Sequence, residues 1–69
     1  RSDIMGLLVS AGLCASRSEA RRAVEQGGVT VNGEKVTDIK TTYTPDDIKN
    51  AEEFVLKRGK KKFCKIVMK

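Results

Sequence analysis

The sequence predicts an α+β fold in which two short helices pack on a small, mainly antiparallel sheet. Three patterns predict it. An apolar stripe at helical spacing lies near the N-terminus, a capping box opens a second helix, and two alternating stretches each fold about a turn signal. The 69 residues suffice for a single small domain spanning 1–69. A core of that size supplies only about 3–5 kcal/mol.

The first helix is predicted over residues 3–11. Ile4, Leu7, Leu8 and Ala11 fall on one stripe, Ser2 or Asp3 can cap the start, and Gly12 can end it with Leu13 folding back. Gly6 weakens this helix by about 1 kcal/mol relative to Ala, so packing must hold it. Ser16-Arg17-Ser18-Glu19 is a capping box, in which the Ser16 hydroxyl accepts from the Glu19 amide and the Glu19 carboxylate reaches back. Ala20, Ala23 and Val24 supply the second helix's apolar face, and Gly27-Gly28 stops it. The period then changes to alternation. Val29-Thr30-Val31, Asn32-Gly33 and Glu34-Lys35-Val36 read as a hairpin, since Asn-Gly suits a type I′ turn. Thr44-Pro45-Asp46-Asp47-Ile48 has the pattern of one helical turn, with Thr at the cap and Pro at the first position. Phe54-Val55-Leu56 and Lys62 to Met68 predict a second hairpin. Cys64, Ile66 and Met68 lie on one face of its last strand and Phe63 and Val67 on the other. Phe54, Phe63 and Tyr43 are expected in the core rather than as stacking platforms.

Charge is distributed unevenly. The chain carries +5, yet residues 57–69 hold seven cations and no acid, while residues 1–56 hold seven cations against nine acids. Lys57, Arg58, Lys60, Lys61 and Lys62 crowd the second hairpin's tip. Such a patch raises the local concentration of a polyanion. No His is present, which removes the imidazole base of the common triads. The carboxylate pairs Asp46-Asp47 and Glu52-Glu53 read as solvated. A non-catalytic chain without cofactor or metal is therefore expected, for two thiols and no imidazole make a poor zinc site. Cys14 and Cys64 read as reduced, apolar packing residues, which points to a reducing compartment. Arg1-Ser2-Asp3 offers neither an initiator Met nor a signal-peptide core, and the chain reads as a piece of a longer protein.

The second helix adds a second basic feature. Arg17 and Arg21 lie side by side at the margin of its apolar face, and Arg22 is turned about 100° further round. Glu25 is placed to pair with Arg21 or Arg22, which would leave that face merely solvated. Arg17 stands at the first helical position, where the dipole disfavours a cation, so binding explains it better than stability does. Free amides, the Ser16 and Ser18 hydroxyls and Arg17 together suit a phosphate. Asn32 is explained by turn geometry as readily as by binding.

These segments carry a family resemblance. Leu7 to Leu13, Ser16-Arg17-Ser18-Glu19-Ala20-Arg21-Arg22 and Gly27-Gly28-Val29-Thr30-Val31-Asn32-Gly33-Glu34-Lys35-Val36 resemble the alpha-L RNA-binding motif. This motif is shared by a ribosomal small-subunit protein, RNA pseudouridine synthases and ribosome-associated heat-shock proteins. Phe54 to Phe63 is similar to the closing hairpin of the C-terminal domain of bacterial-type tyrosyl-tRNA synthetases. The likeness covers residues 4–38 and 51–69. One departure is that Ser2-Asp3-Ile4 stands where many superfamily members have an Arg-Leu-Asp-type triplet.

The resemblance implies a cytoplasmic tRNA-binding appendage whose partner is tyrosine tRNA, held at the anticodon stem and long variable arm. The ligase chemistry would reside in an upstream catalytic domain. The RNA-contacting positions carried over are Ser16, Arg17, Arg21, Arg22, Asn32 and Lys35, beside the cationic tip. With the aromatics assigned to the core, recognition is expected through backbone and shape. Two rivals remain: the same motif in a ribosome-associated or RNA-modifying protein, and a basic module docking on an acidic membrane or protein surface. The second would call for an amphipathic helix with exposed large apolar residues, and none is legible.

Overall fold

The computed structural model describes residues 2–50 and 53–66. In chain order these form β1 (Ser2–Asp3), α1 (Ile4–Ser10), α2 (Arg17–Glu25), β2 (Val29–Val31), β3 (Glu34–Lys35), β4 (Thr42–Tyr43), α3 (Pro45–Asn50), β5 (Phe54–Arg58) and β6 (Lys62–Ile66). The expected alternation at Val67 and Met68 lies outside the described residues.

Each helix begins through a local hydrogen bond that its sequence supplies, and α1 and α2 end through one. Asp3 caps α1, its Oδ1 accepting from the Gly6 amide at 2.7 Å. At the other end the Leu13 amide donates to the Leu8 carbonyl at 3.0 Å and carries Leu13 into the core. The Ser16 Oγ accepts from the Glu19 amide at 3.2 Å, as the capping box requires. The Glu19 carboxylate reaches back past Ser16 to the Ala15 amide, 2.7 Å away. Ser16→Ala is therefore expected to lower stability by about 0.5–2 kcal/mol. An unchanged urea midpoint in that variant would place the start of α2 elsewhere.

Four strands pair in the order β3-β2-β5-β6, all antiparallel. Asn32 (φ 51°) and Gly33 (φ 85°) make the positive-φ turn that the right-handed strand twist favours between β2 and β3. Asn32 is also a latch: its Oδ1 accepts from the Val55 amide at 2.8 Å, and its own amide donates to the Val55 carbonyl at 2.9 Å. The second sheet, β1 with β4, has no counterpart in the sequence reading. It pairs Ser2 with Tyr43 and Asp3 with Thr42, and so closes the N-terminus onto the middle of the chain. The expected helical turn at Pro45 extends to six residues. Thr44 and Asp47 cap each other, Asp47 N–H to Thr44 Oγ1 at 3.1 Å and Thr44 N–H to Asp47 Oδ2 at 2.7 Å.

Val29, Val31, Phe54 and Leu56 on one face of the four-stranded sheet join Ile4, Leu7 and Leu8 of α1 and Ala20, Ala23 and Val24 of α2 in the core. Tyr43 meets Phe54 edge to face with centroids 5.2 Å apart. Cys14 is buried, Cys64 half-buried, and both are free thiols. Burial raises the Cys14 thiol above its ordinary range, consistent with inert packing. Phe63 departs from expectation. It is 67% exposed, not core. The register pairs it with Lys57 and pairs Cys64 with Leu56, so the two-residue alternation turns Phe63 to the face away from the helices.

Candidate nucleic-acid interface

The basic turn is positioned by three contacts made just before or within it. Arg58 closes β5 opposite Lys62, but its side chain turns inward. Its Nη1 donates to the Leu13 carbonyl at 2.7 Å and to the Glu19 carboxylate at 3.0 Å. The Gly59 amide donates to the Gly28 carbonyl at 2.7 Å, and Gly59 adopts φ 68°, a conformation open to glycine, so that β5 can turn there. The turn is thereby fixed against both ends of α2. Glu19, Ala23 and Gln26 on the helix face Arg58, Gly59, Lys60, Lys61 and Lys62 across an open cleft of about 630 Å³. Lys60, Lys61 and Lys62 are exposed, and among the described residues no carboxylate lies within ion-pair distance of any of them.

The expected site residues divide among three places. Arg22 lies one helical turn from both Glu19 and Gln26, two residues that line the cleft. It is exposed and has no ion-pair partner among the described residues. Arg17 and Arg21 lie on the opposite margin of α2, toward the start of α1. Arg21 Nε lies 3.6 Å from Glu25. Arg17 engages Asp3 with both terminal nitrogens, Nη1 at 3.2 Å from Oδ1 and Nη2 against Oδ2. Arg17 stands at the first position of α2 as expected, and Asp3 offsets the dipole's disfavour there: one carboxylate caps α1 while holding the first residue of α2. Lys57 belongs to the face opposite the cleft, beside Phe63. Lys35 pairs with Thr30 on that same face, and its stem and ammonium both lie over Gly27, 3.5 Å from where a Cβ would sit. Ser16 is occupied as a cap and the Asn32 carboxamide oxygen as a latch. Sequence reasoning missed the inward course of Arg58, because a cation in a basic run gives no local sign of a partner 39 residues away.

These pairings set the acid limit of the fold. The Arg17 guanidinium, and then the Gly6 amide, hold the Asp3 carboxyl below its ordinary range. The Ala15 amide, aided by Arg58, does the same for Glu19, and the Thr44 amide for Asp47. A carboxyl whose pKa is depressed in the folded chain adds stability above its unfolded value, and that stability is lost as pH falls through the folded value. The urea midpoint should stay level from neutrality to about pH 5 and fall below about pH 4. Asp3→Asn should flatten the fall. A midpoint indifferent to acid would mean that these carboxylates are not paired in solution.

Over residues 1–66 the chain matches the family described as the tyrosine–tRNA ligase SYY-like C-terminal domain. It is similar to the tyrosine–tRNA ligase of Clostridium kluyveri, at 46% identity over 97% of this chain and 16% of that protein. The corresponding ligase of Bdellovibrio bacteriovorus is 50% identical over 96% of this chain and 16% of its own length. That of Thermotoga maritima is 48% identical over 93% and 15%. The chain thus spans about 16% of the length of the curated relatives it matches. A basic turn fixed beside a capped helix accompanies this likeness along nearly the whole chain, which belongs to the tyrosine–tRNA ligase SYY-like C-terminal domain family.

Proposed function

We propose that the chain is a tRNA-binding domain, with residues 1–69 acting as one unit, and that it serves a cytoplasmic tyrosine–tRNA ligase whose catalytic domain lies upstream. The observation that carries this reading is the turn Lys60-Lys61-Lys62, with no carboxylate within ion-pair distance among the described residues and locked by Arg58 and Gly59 against α2. A preorganised cluster of unpaired cations attracts phosphates with little ordering cost, because the backbone beneath it is already fixed. Contacts of this kind position a protein on structured RNA without reading bases. The relatives named above are tyrosine–tRNA ligases, which supports tyrosine tRNA as the partner. The surface proposed to be gripped is its anticodon stem and long variable arm.

Titration of the isotopically labelled chain with tyrosine tRNA, with the same tRNA lacking its long arm, and with an unrelated tRNA tests this. The amides of residues 57–62 and of Arg22 should shift, and affinity should rank in that order. Equal affinity for all three RNAs would refute the variable-arm assignment. Shifts confined to α1 and α3 would refute the site.

A further inference from the structure

The side of the four-stranded sheet that faces away from α1 and α2 carries a row running straight across all four strands. Lys35 pairs with Thr30, Thr30 with Lys57, and Lys57 with Phe63. Paired residues share a face, so these four side chains leave the sheet on one side, that of Lys35 then lying along Gly27. Among the described residues nothing covers them: Lys35, Lys57 and Phe63 are exposed and Thr30 is half-exposed. Phe63 is the one large apolar side chain so exposed among the described residues. On the same face the next pair is Val55 with Lys65, and Lys65 is neutralised by Glu53 at 3.1 Å. The free charge beside the ring is therefore that of Lys57.

We propose that this face holds an unpaired nucleotide, its base stacked on the Phe63 ring and its phosphate on Lys57, with Lys35 further along the same strand of RNA. This second RNA contact rests on the RNA-binding reading above and extends it to single-stranded or looped-out nucleotides. Charge complementarity selects the occupant. An apolar protein surface laid on Phe63 would bury the adjacent Lys57 ammonium without a partner, which is unfavourable. A nucleotide offers a π face to the ring and an anion to the ammonium at the spacing of neighbouring strands, about 5 Å. Lys35 lies three strand spacings from Phe63, about 14 Å, within reach of a following phosphate. The cleft face grips backbone through lysines, and the sheet face adds the aromatic platform that single-strand binding requires.

The test uses a single-stranded oligoadenylate of about eight nucleotides carrying one 2-aminopurine, and in parallel a blunt-ended RNA duplex. The parent chain should bind both RNAs and quench the fluorescent base. Phe63→Leu should weaken oligoadenylate binding by roughly 5- to 100-fold, remove the quenching and leave duplex affinity unchanged. Phe63→Trp should keep or strengthen both the oligoadenylate affinity and the quenching. Because the ring is exposed, both variants should melt like the parent. Oligoadenylate binding by Phe63→Leu at parental strength would overturn the proposal, as would equal losses on oligoadenylate and duplex. A parent chain that binds the duplex alone would overturn this proposal and leave the RNA-binding reading intact, whereas one that binds neither RNA would overturn both.

Discussion

Replacing Lys60, Lys61 and Lys62 together with Gln is expected to weaken binding to structured RNA by about 10²-fold near physiological salt. Each phosphate contact releases condensed counterion and contributes about −0.9 to the slope of log K against log salt, by analogy with duplex DNA. Arg17 is paired with Asp3 and Arg58 with Glu19 and Leu13, so neither is counted as a free cation. On the cleft side Lys60, Lys61, Lys62 and Arg22 are the cations without an ion-pair partner among the described residues, which gives a parental slope of about −3 to −4. The triple variant should retain a slope of only about −1, with similar losses on cognate and non-cognate RNA. Its stability should be unchanged or slightly raised, since three like charges leave an exposed turn. Parental affinity and slope in this variant would assign the RNA contact to the remaining basic residues.

Leu56→Ala should abolish the fold rather than weaken it. Leu56 is fully buried at the middle of β5, between β2 and β6. Truncating such a side chain costs about 2–5 kcal/mol in lost transfer energy and cavity formation. A domain this small has a total of roughly 3–5 kcal/mol to lose. The variant should be largely unfolded at 25 °C, with collapsed amide dispersion and no specific RNA complex. Val55→Ala, one residue away but on the uncovered face, should leave both properties near the parent's. A well-dispersed spectrum from Leu56→Ala would mean that the core is larger or more adaptable than described.

Local chemistry was legible in the sequence to the extent that it was local. The capping box at Ser16 and the Asn32-Gly33 turn are each specified within a few residues, and each forms as expected. The cap at Thr44 does too, and the predicted class of two helices on a small antiparallel sheet holds, with the expected turn at Pro45 lengthened into α3 and the β1–β4 pair added. What escaped depends on residues far apart in the chain. The Arg17–Asp3 pair spans 14 residues and the Arg58–Leu13 bond 45, and a basic run looks the same whether its members point inward or outward. Phe63 escaped for a related reason. Alternation placed it opposite Cys64, but it does not say which face the helices cover. Of the candidate site, the lysine tip and Arg22 were placed as expected at the surface, whereas Asn32 and Arg58 proved to hold the structure together.

The strand order β3-β2-β5-β6 also has a consequence for synthesis. β2, which carries Val29 and Val31, lies between a partner made immediately after it and one made more than twenty residues later. Along the chain everything through Lys35 precedes Leu56, which completes the layer beneath the helices. The N-terminal half alone therefore lacks the strand it packs on, and the non-local β2–β5 pairing makes closure the slow step. The same segment that delivers the central strand ends in the lysine turn. The domain thus gains its core and its polyanion-attracting edge in one event, and an incompletely made chain offers no pre-folded basic surface to passing nucleic acid.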